Sequence, residues 1–150
     1  MRARDLAQDF PTVSLDSEAT EAARLMAREQ LPGLIVCDGD GRPYAVLPGS
    51  QILRFLVPRY VQDDPALARV YDEKASDELL SKLGRSTVRD LLPDKPDITE
   101  IPVVDGDATT IEVAAVMARV HSPVAAVVEN DQVLGAITVR RLLDHLLPTS

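Results

Sequence analysis

The sequence predicts a mixed α/β (α+β) protein of two pseudo-symmetric repeats, each running strand, helix, strand, strand, helix, with a helical insert between them. Three observations carry this. First, VSLDSEATEAARLMAREQLPGLIV (residues 13–36) lies on VVDGDATTIEVAAVMARVHSPVAAV (residues 103–127) at a constant offset of 91. That register pairs Val13 with Val104, Asp16 with Asp107, Glu21 with Glu112, Met26 with Met117, Arg28 with Arg119, Pro32 with Pro123 and Val36 with Val127. Second, the match survives a change of hairpin length. CDGDGRPYAVL is one residue longer than VENDQVLGAI, so the offset becomes 90 and Ile52-Leu53 faces Leu142-Leu143. Third, the lead-ins agree: ARDLA at 3–7 echoes VRDLL at 88–92 with an offset of 85, leaving six extra residues in the second copy's PDKPDITEIP approach. The predicted division is a first repeat with its lead-in over residues 1–57, an insert over 58–86 and a second repeat over 87–150.

Each element follows from local chemistry. Thr12 to Leu15 and Ile101 to Val104 read as short extended segments. Thr109-x-x-Glu112 is a capping box, and Asp16, Ser17 and Glu18 place acidic or hydroxyl groups where first-turn amides are free. The helices that follow are expected to run to about Gln30 and His121. Ala19, Ala22, Ala23 and Met26, like Val113, Ala114, Val116 and Met117, recur at helical spacing, and their small residues permit close approach to a sheet. LIVC at 34–37 and VAAVV at 124–128 read as strands, joined to PYAVL at 43–47 and QVLGAI at 132–137 through Asp38-Gly39-Asp40-Gly41 and Glu129-Asn130-Asp131 turns. QILRFLV from about 50 and VRRLLDHLL from about 139 close the repeats. In the insert, Pro65 suits a helix first turn. Leu67, Val70 and Tyr71 form one apolar stripe and Leu79, Leu80 and Leu83 another, so this segment should pack between the copies or against a partner rather than act as a flexible linker.

Composition narrows the function classes. A chain of 150 residues can bury about two thirds of its unfolded surface, and needs no disulfide or metal for stability. Sixteen Lys and Arg against 24 Asp and Glu leave a formal charge of −8, which disfavours nucleic acid or an anionic membrane as partner. A lone cysteine, Cys37, and the lack of a long apolar run or signal segment point to a reduced cytoplasmic setting without membrane insertion. Cys37 reads as a small buried hydrophobe. His121 reads as a helix-terminal surface residue and His145 as a surface residue of the last helix. Asp38 and Asp40 hint at calcium but lack the spaced oxygen ligands of a calcium loop, so a turn is the better reading. No nucleophile, base and orienter set, P-loop or dinucleotide fingerprint is present, which argues for sensing or scaffolding over catalysis.

The candidate site is the strand-to-helix junction GAITVRR. Gly135 sits on the strand, Thr138 at the junction and Arg141 one turn into the helix, where free amides, a hydroxyl and the positive helix end can receive an anion. Thr138 can equally be a plain N-cap. The first copy carries Ala45, Pro48 and Gln51 at these places, and Pro48 removes both a hydroxyl and an N–H, so the two junctions cannot be equal binders.

Taken together, the VRDLL-like lead-ins, the repeated VSLDSEATEAARLMAREQLPGLIVCDGDGRPYAVL pattern and the GAITVRRLL closure resemble a tandem pair of cystathionine beta-synthase (CBS) domains, a Bateman module, over residues 1 to about 147. The resemblance implies two CBS repeats acting as a regulatory sensor rather than an enzyme. It implies an adenosine-containing ligand (AMP, ADP, ATP or S-adenosylmethionine) in the inter-repeat cleft, with no required cofactor, and a partner module in a flat disc. The family's ligand stretch runs glycine, two apolar residues, threonine or serine, two variable residues and aspartate. Gly135 and Thr138 match it; Arg141 holds the aspartate place, where it can donate to phosphate but not accept from ribose. Gln51, at the first copy's aspartate place, can still accept through its amide oxygen. The expected ligand-binding residues are therefore Gly135, Thr138, Arg141 and Gln51. Apolar Leu53, Phe55, Leu56, Leu142, Leu143 and Leu146 on the closing helices point to a homodimer. The alternative is a ligand-free interaction module whose insert docks a separately encoded transporter or enzyme.

Overall fold

The computed structural model describes residues 1–92 and 101–148; the PDKPDITE part of the second approach lies outside the described residues. Helix α1 (Ala3–Leu6) opens the chain, followed by β1 (Thr12–Ser14), α2 (Ala19–Arg28), β2 (Gly33–Cys37), β3 (Pro43–Pro48) and α3 (Gly49–Leu56). The insert holds α4 (Arg59–Asp63), a 3-10 turn (Pro65–Val70) and α5 (Glu73–Gly84). The second copy repeats the plan with α6 (Val88–Leu91), β4 (Val103–Asp105), α7 (Thr110–Val120), β5 (Val124–Glu129), β6 (Gln132–Thr138) and α8 (Val139–Leu146). Two three-stranded sheets result, ordered β1-β2-β3 and β4-β5-β6. In each the lead-in strand runs parallel to the central strand, Val13 opposite Val36 and Val104 opposite Val127, and the hairpin partner runs antiparallel.

The caps explain the boundaries. Thr109 accepts from the Glu112 amide at 3.1 Å, whereas α2 starts at Glu18 with no side-chain cap. Both helices stop slightly before the expected ends because the chain turns left-handed, at Gln30 (φ 54°) and His121 (φ 53°). Asn130 and Asp131, also at positive φ, make the tight second hairpin. In the longer first hairpin the Asp38 carboxylate accepts from the amides of Asp40 (2.9 Å) and Arg42 (3.0 Å), so the acidic loop is committed to its own turn.

Three apolar layers hold the molecule. Ala19, Ala22, Met26, Leu34, Val36, Leu47 and Ile52 fill the space between the first sheet and its helices, and Val104, Val113, Met117, Ala125, Val127, Ile137 and Leu142 do so in the second. The opposite sheet faces meet through Ile35, Cys37, Val124, Ala126 and Ala136. A strand buried on both faces must be apolar throughout, which is why all of Gly33–Cys37 is buried. Each fully buried Val, Leu or Ile contributes about 1.5–3 kcal/mol, so the apolar runs dominate the fold.

The lead-ins do something that sequence order conceals. Helix α1 precedes the first copy, yet Ala3 and Leu6 are buried in the second copy's core. Val88, Leu91 and Leu92, which precede the second copy, are buried in the first. Backbone bonds seal the exchange: the Ala3 and Arg4 amides donate to the carbonyls of Ala108 and Gly106 (2.8 and 2.9 Å), while Val88 and Arg89 donate to Ser17 and Leu15 (2.9 and 3.0 Å). Arg4 reaches Asp107 and Glu129, both at 2.6 Å; Arg89 meets Asp16 at 3.3 Å. Hydrogen bonds to Glu129 and then Asp107 raise the Arg4 pKa further.

The insert departs from expectation. Helix α5 packs on α2 and α3 of the first copy rather than between the copies. Its inward line is Ala75, Leu79 and Leu83, spaced four apart, while Leu80 is exposed. The stripe read at Leu67, Val70 and Tyr71 does not form a buried face. The segment is a 3-10 turn whose Val70 is 86 % exposed, and Tyr71 instead bonds the Tyr60 hydroxyl at 2.8 Å.

Candidate ligand cleft

After α1, residues 8–11 form a strap that crosses from the second copy to the first. Gln8 pairs with Ala136 in both directions, its amide donating at 2.9 Å and its carbonyl accepting at 3.0 Å. Gly135 makes this crossing feasible: a Cβ there would collide with the Gln8 carbonyl oxygen. Beyond Gln8 the strap presents Asp9 and Phe10 and enters β1.

A cleft of about 600 Å³ opens on one side of the strap. Its walls are Phe10, Leu31, Pro32, Pro123 and Val139, and its polar groups are Gln8, Asp9, Gln30, Thr138 and Arg140. Pro32 and Pro123 are the repeat-related residues that start the two central hairpins, so the cleft spans the seam between the copies. A neighbouring cleft of about 590 Å³ lies beyond Asp9 and Phe10, lined also by Thr12, Leu25, Glu29, Val133, Leu134 and Gly135.

The junctions at the two closing helices differ as their sequences require. Thr138 caps α8, its Oγ1 accepting from the Arg141 amide at 3.1 Å, and the Val139 amide donates to the Pro123 carbonyl at 3.2 Å. The Arg140 amide has no partner among the described residues, and the Thr138 O–H can still donate. The junction is thus both an N-cap and a small donor site. In the first copy Gly49 donates to Pro32 at 3.2 Å and Pro48 supplies no side-chain cap.

The four expected ligand residues separate. Thr138 lines the larger cleft; Gly135 lines the neighbouring one, under the strap. Arg141 is turned away from both: its Nε donates to the Leu6 carbonyl at 3.3 Å, at the end of α1. Gln51 behaves in the same way, Nε2 donating to the Leu91 carbonyl at 3.0 Å, at the end of α6. Leu6 and Leu91 are repeat-related, as are Gln51 and Arg141, so one device serves both lead-ins. A donor stands at the place where the family pattern has aspartate, and it satisfies a helix C-terminal carbonyl. Aspartate, an acceptor when ionised, cannot make that bond. The cleft is also lined by Arg140, Asp9 and Phe10, which the sequence pattern did not single out. The signal available for Arg140 was its place in the first turn of α8, where a side chain on the solvent side of the cap overlooks the junction.

The remaining polar groups are accounted for. Cys37 lies in the inter-sheet layer, where burial pushes its thiol pKa up, an effect that the neighbouring Thr12 partly offsets. Among the described residues no cluster of His, Cys, Asp and Glu could hold a metal ion, and no helix is long and apolar enough to cross a membrane.

Comparison with known proteins agrees with this architecture. The family model described as "CBS domain" matches residues 3–58 and 88–148. A CBS domain-containing protein of unknown function from Kribbella flavida DSM 17836 is 53% identical, with 99% of each chain covered and a TM-score of 0.83. The CBS domain of a membrane protein from Sphaerobacter thermophilus shares the fold at 22% identity, with 98% of this chain and 88% of that chain covered and a TM-score of 0.73. CBSX2, in a structure in complex with AMP, does so at 18% identity, with 96% of this chain and 94% of that chain covered and a TM-score of 0.65. Among curated proteins no relative matches. With both copies matched by the family model and the repeat visible in sheet, helix and lead-in alike, this chain belongs to the CBS domain family as a tandem pair.

Proposed function

We propose that this chain is a regulatory module that senses an adenosine nucleotide, or another phosphate-bearing anion, in the cleft between its repeats. The observation that carries the reading is the cleft at Thr138. Thr138 and Arg140 both line it, bringing a hydroxyl, a free first-turn amide and a cationic side chain, and Phe10, Leu31, Pro123 and Val139 offer apolar walls for a flat ring. The AMP complex of CBSX2 supports the class of ligand. Arg140 takes the phosphate-holding role, with Arg141 and Gln51 fixing the lead-ins. Because the strap at 8–11 both lines the cleft and continues from α1, a ligand there is coupled to the clasp between the copies. No catalytic role is assigned, and the reading places the module in the cytoplasm.

The module works as a homodimer in this reading. Of the apolar residues expected to face a second copy, Leu142 is buried in its own core, and Phe55 and Leu56 are half-buried against theirs. Leu53, Leu143 and Leu146, joined by Ile111, are between 41% and 67% exposed on helices that cover the outer sides of the two sheets, where a second copy would cover them. The alternative, a ligand-free interaction module that docks a transporter or enzyme, is favoured by the exposed Tyr60, Leu67 and Val70 of the insert. Thermal-shift measurements on nucleotide-stripped protein against AMP, ADP, ATP and S-adenosylmethionine separate the readings, with mass spectrometry of the untreated protein. A rise in Tm with at least one of these ligands is expected; flat responses, with nothing carried through purification, would favour the interaction module. Light scattering should give twice the mass of the chain at micromolar concentration.

A further inference from the structure

We infer that the cleft selects a nucleoside monophosphate over the corresponding di- and triphosphate, with Arg140 as its cationic contact and Asp9 as the group that repels further phosphates. The inference rests on the reading of the cleft as a nucleotide site and specifies which nucleotide it takes. Among the described residues, the charged ones that line the two adjoining clefts are Asp9, Glu29 and Arg140, one positive and two negative. Arg141, the other cation of that turn, is directed to the Leu6 carbonyl. The chain as a whole carries −8. One guanidinium, one hydroxyl and one amide match the oxygens of a single phosphate, which carries about −1.5 to −2 at neutral pH.

A longer phosphate chain finds no second cation among the described residues of this lining. It must run either out to solvent, gaining nothing, or along the strap toward Asp9 and then Glu29, where like charge opposes it. Neither Asp9 nor Arg140 has a hydrogen-bond or ion partner among the described residues, and both are exposed, so each is available to a ligand. A carboxylate in the same lining also accepts from neutral hydroxyls, which a ribose supplies. Asp9 therefore stands where it can favour a nucleoside body while penalising extra phosphates.

The test is titration calorimetry of nucleotide-stripped full-length protein with AMP, ADP and ATP in magnesium-free buffer, using wild type, Asp9→Asn and Arg140→Ala. Both substitutions are at exposed positions, so the variants should keep the wild-type Tm without ligand. Wild type should bind AMP about tenfold or more tightly than ATP, with ADP between. Asp9→Asn should cut that ratio to about threefold, chiefly by strengthening ATP, and Arg140→Ala should weaken AMP about tenfold or more. ATP binding as tightly as AMP, or a ratio unchanged in Asp9→Asn, overturns the selectivity while leaving the cleft a nucleotide site. Wild type that binds none of the three overturns the site and the selectivity together.

Discussion

Replacing Leu6 by alanine tests the exchange of lead-ins at its most buried point. Leu6 is 1% exposed and lies among Ala3, Val104, Val113, Ile137 and Leu142 of the second copy, although it precedes the first copy in sequence. The change removes three carbon atoms from a packed site at the end of a four-residue helix that is pinned on both sides, by the Ala3 and Arg4 amides before it and the Gln8–Ala136 pair after it. The pinned backbone limits collapse into the space, so the transfer and cavity contributions add to about 3 kcal/mol, within the 2–5 kcal/mol span for such truncations. Against a total of about 5–15 kcal/mol for a domain this is a large fraction. Urea unfolding followed by circular dichroism gives the magnitude, and native-state hydrogen exchange gives the location. Amides of β4, β5 and β6 should lose protection before those of β1, β2 and β3. Leu91→Ala, at the repeat-related position in the first core, should show the mirror image. A loss under about 1 kcal/mol for Leu6→Ala, or protection lost first in β2 and β3, would refute the reasoning.

Other expectations follow from the same geometry. Gly135→Ala drives a Cβ into the Gln8 carbonyl and should cost about 1–3 kcal/mol, read as a lowered Tm; an unchanged Tm would mean that the strap is not fixed there. Arg141→Ala and Gln51→Ala should each cost about 0.5–1.5 kcal/mol through the freed carbonyls of Leu6 and Leu91, and should change AMP affinity less than about threefold. A larger affinity loss in Arg141→Ala alone would return the phosphate to Arg141. Burial raises the Cys37 pKa above its ordinary 9.0, so ionisation is favoured in the unfolded chain. The thiol's contribution to stability is complete below that ordinary value and declines as pH rises past it. A Cys37→Ala variant should therefore lose less stability than wild type between neutral pH and pH about 10. In native protein at neutral pH the thiol should react slowly with a disulfide reagent, and immediate reaction would contradict its burial.

How much of this was legible in the sequence depended on the range of the interactions involved. Repeat, strand order within each copy and caps such as Thr109 were legible because they rest on spacing and on contacts within a few residues. The lead-in exchange was not. ARDLA and VRDLL announce themselves as equivalent, but equivalence is satisfied whether each packs on its own copy or on the other. Arg140 and Arg141 show the same limit at single-residue scale. Both sit in the first turn of α8, about 100° apart, and which one faces the cleft is decided by a carbonyl at Leu6, 135 residues earlier. In the insert the apolar residues stand out in the sequence but their phase does not. Leu79 and Leu83 face the first copy together with Ala75, a residue too small to stand out, while Leu80 points outward.

A structure of the nucleotide-stripped protein after soaking with AMP tests the central claim most directly. The account expects the phosphate against the Thr138 hydroxyl, the Arg140 amide and the Arg140 guanidinium, the base among Phe10, Leu31 and Pro123, and Arg141 still on the Leu6 carbonyl. An empty cleft at saturating AMP, or a nucleotide whose phosphate is held by Arg141 with Leu6 released, would contradict it.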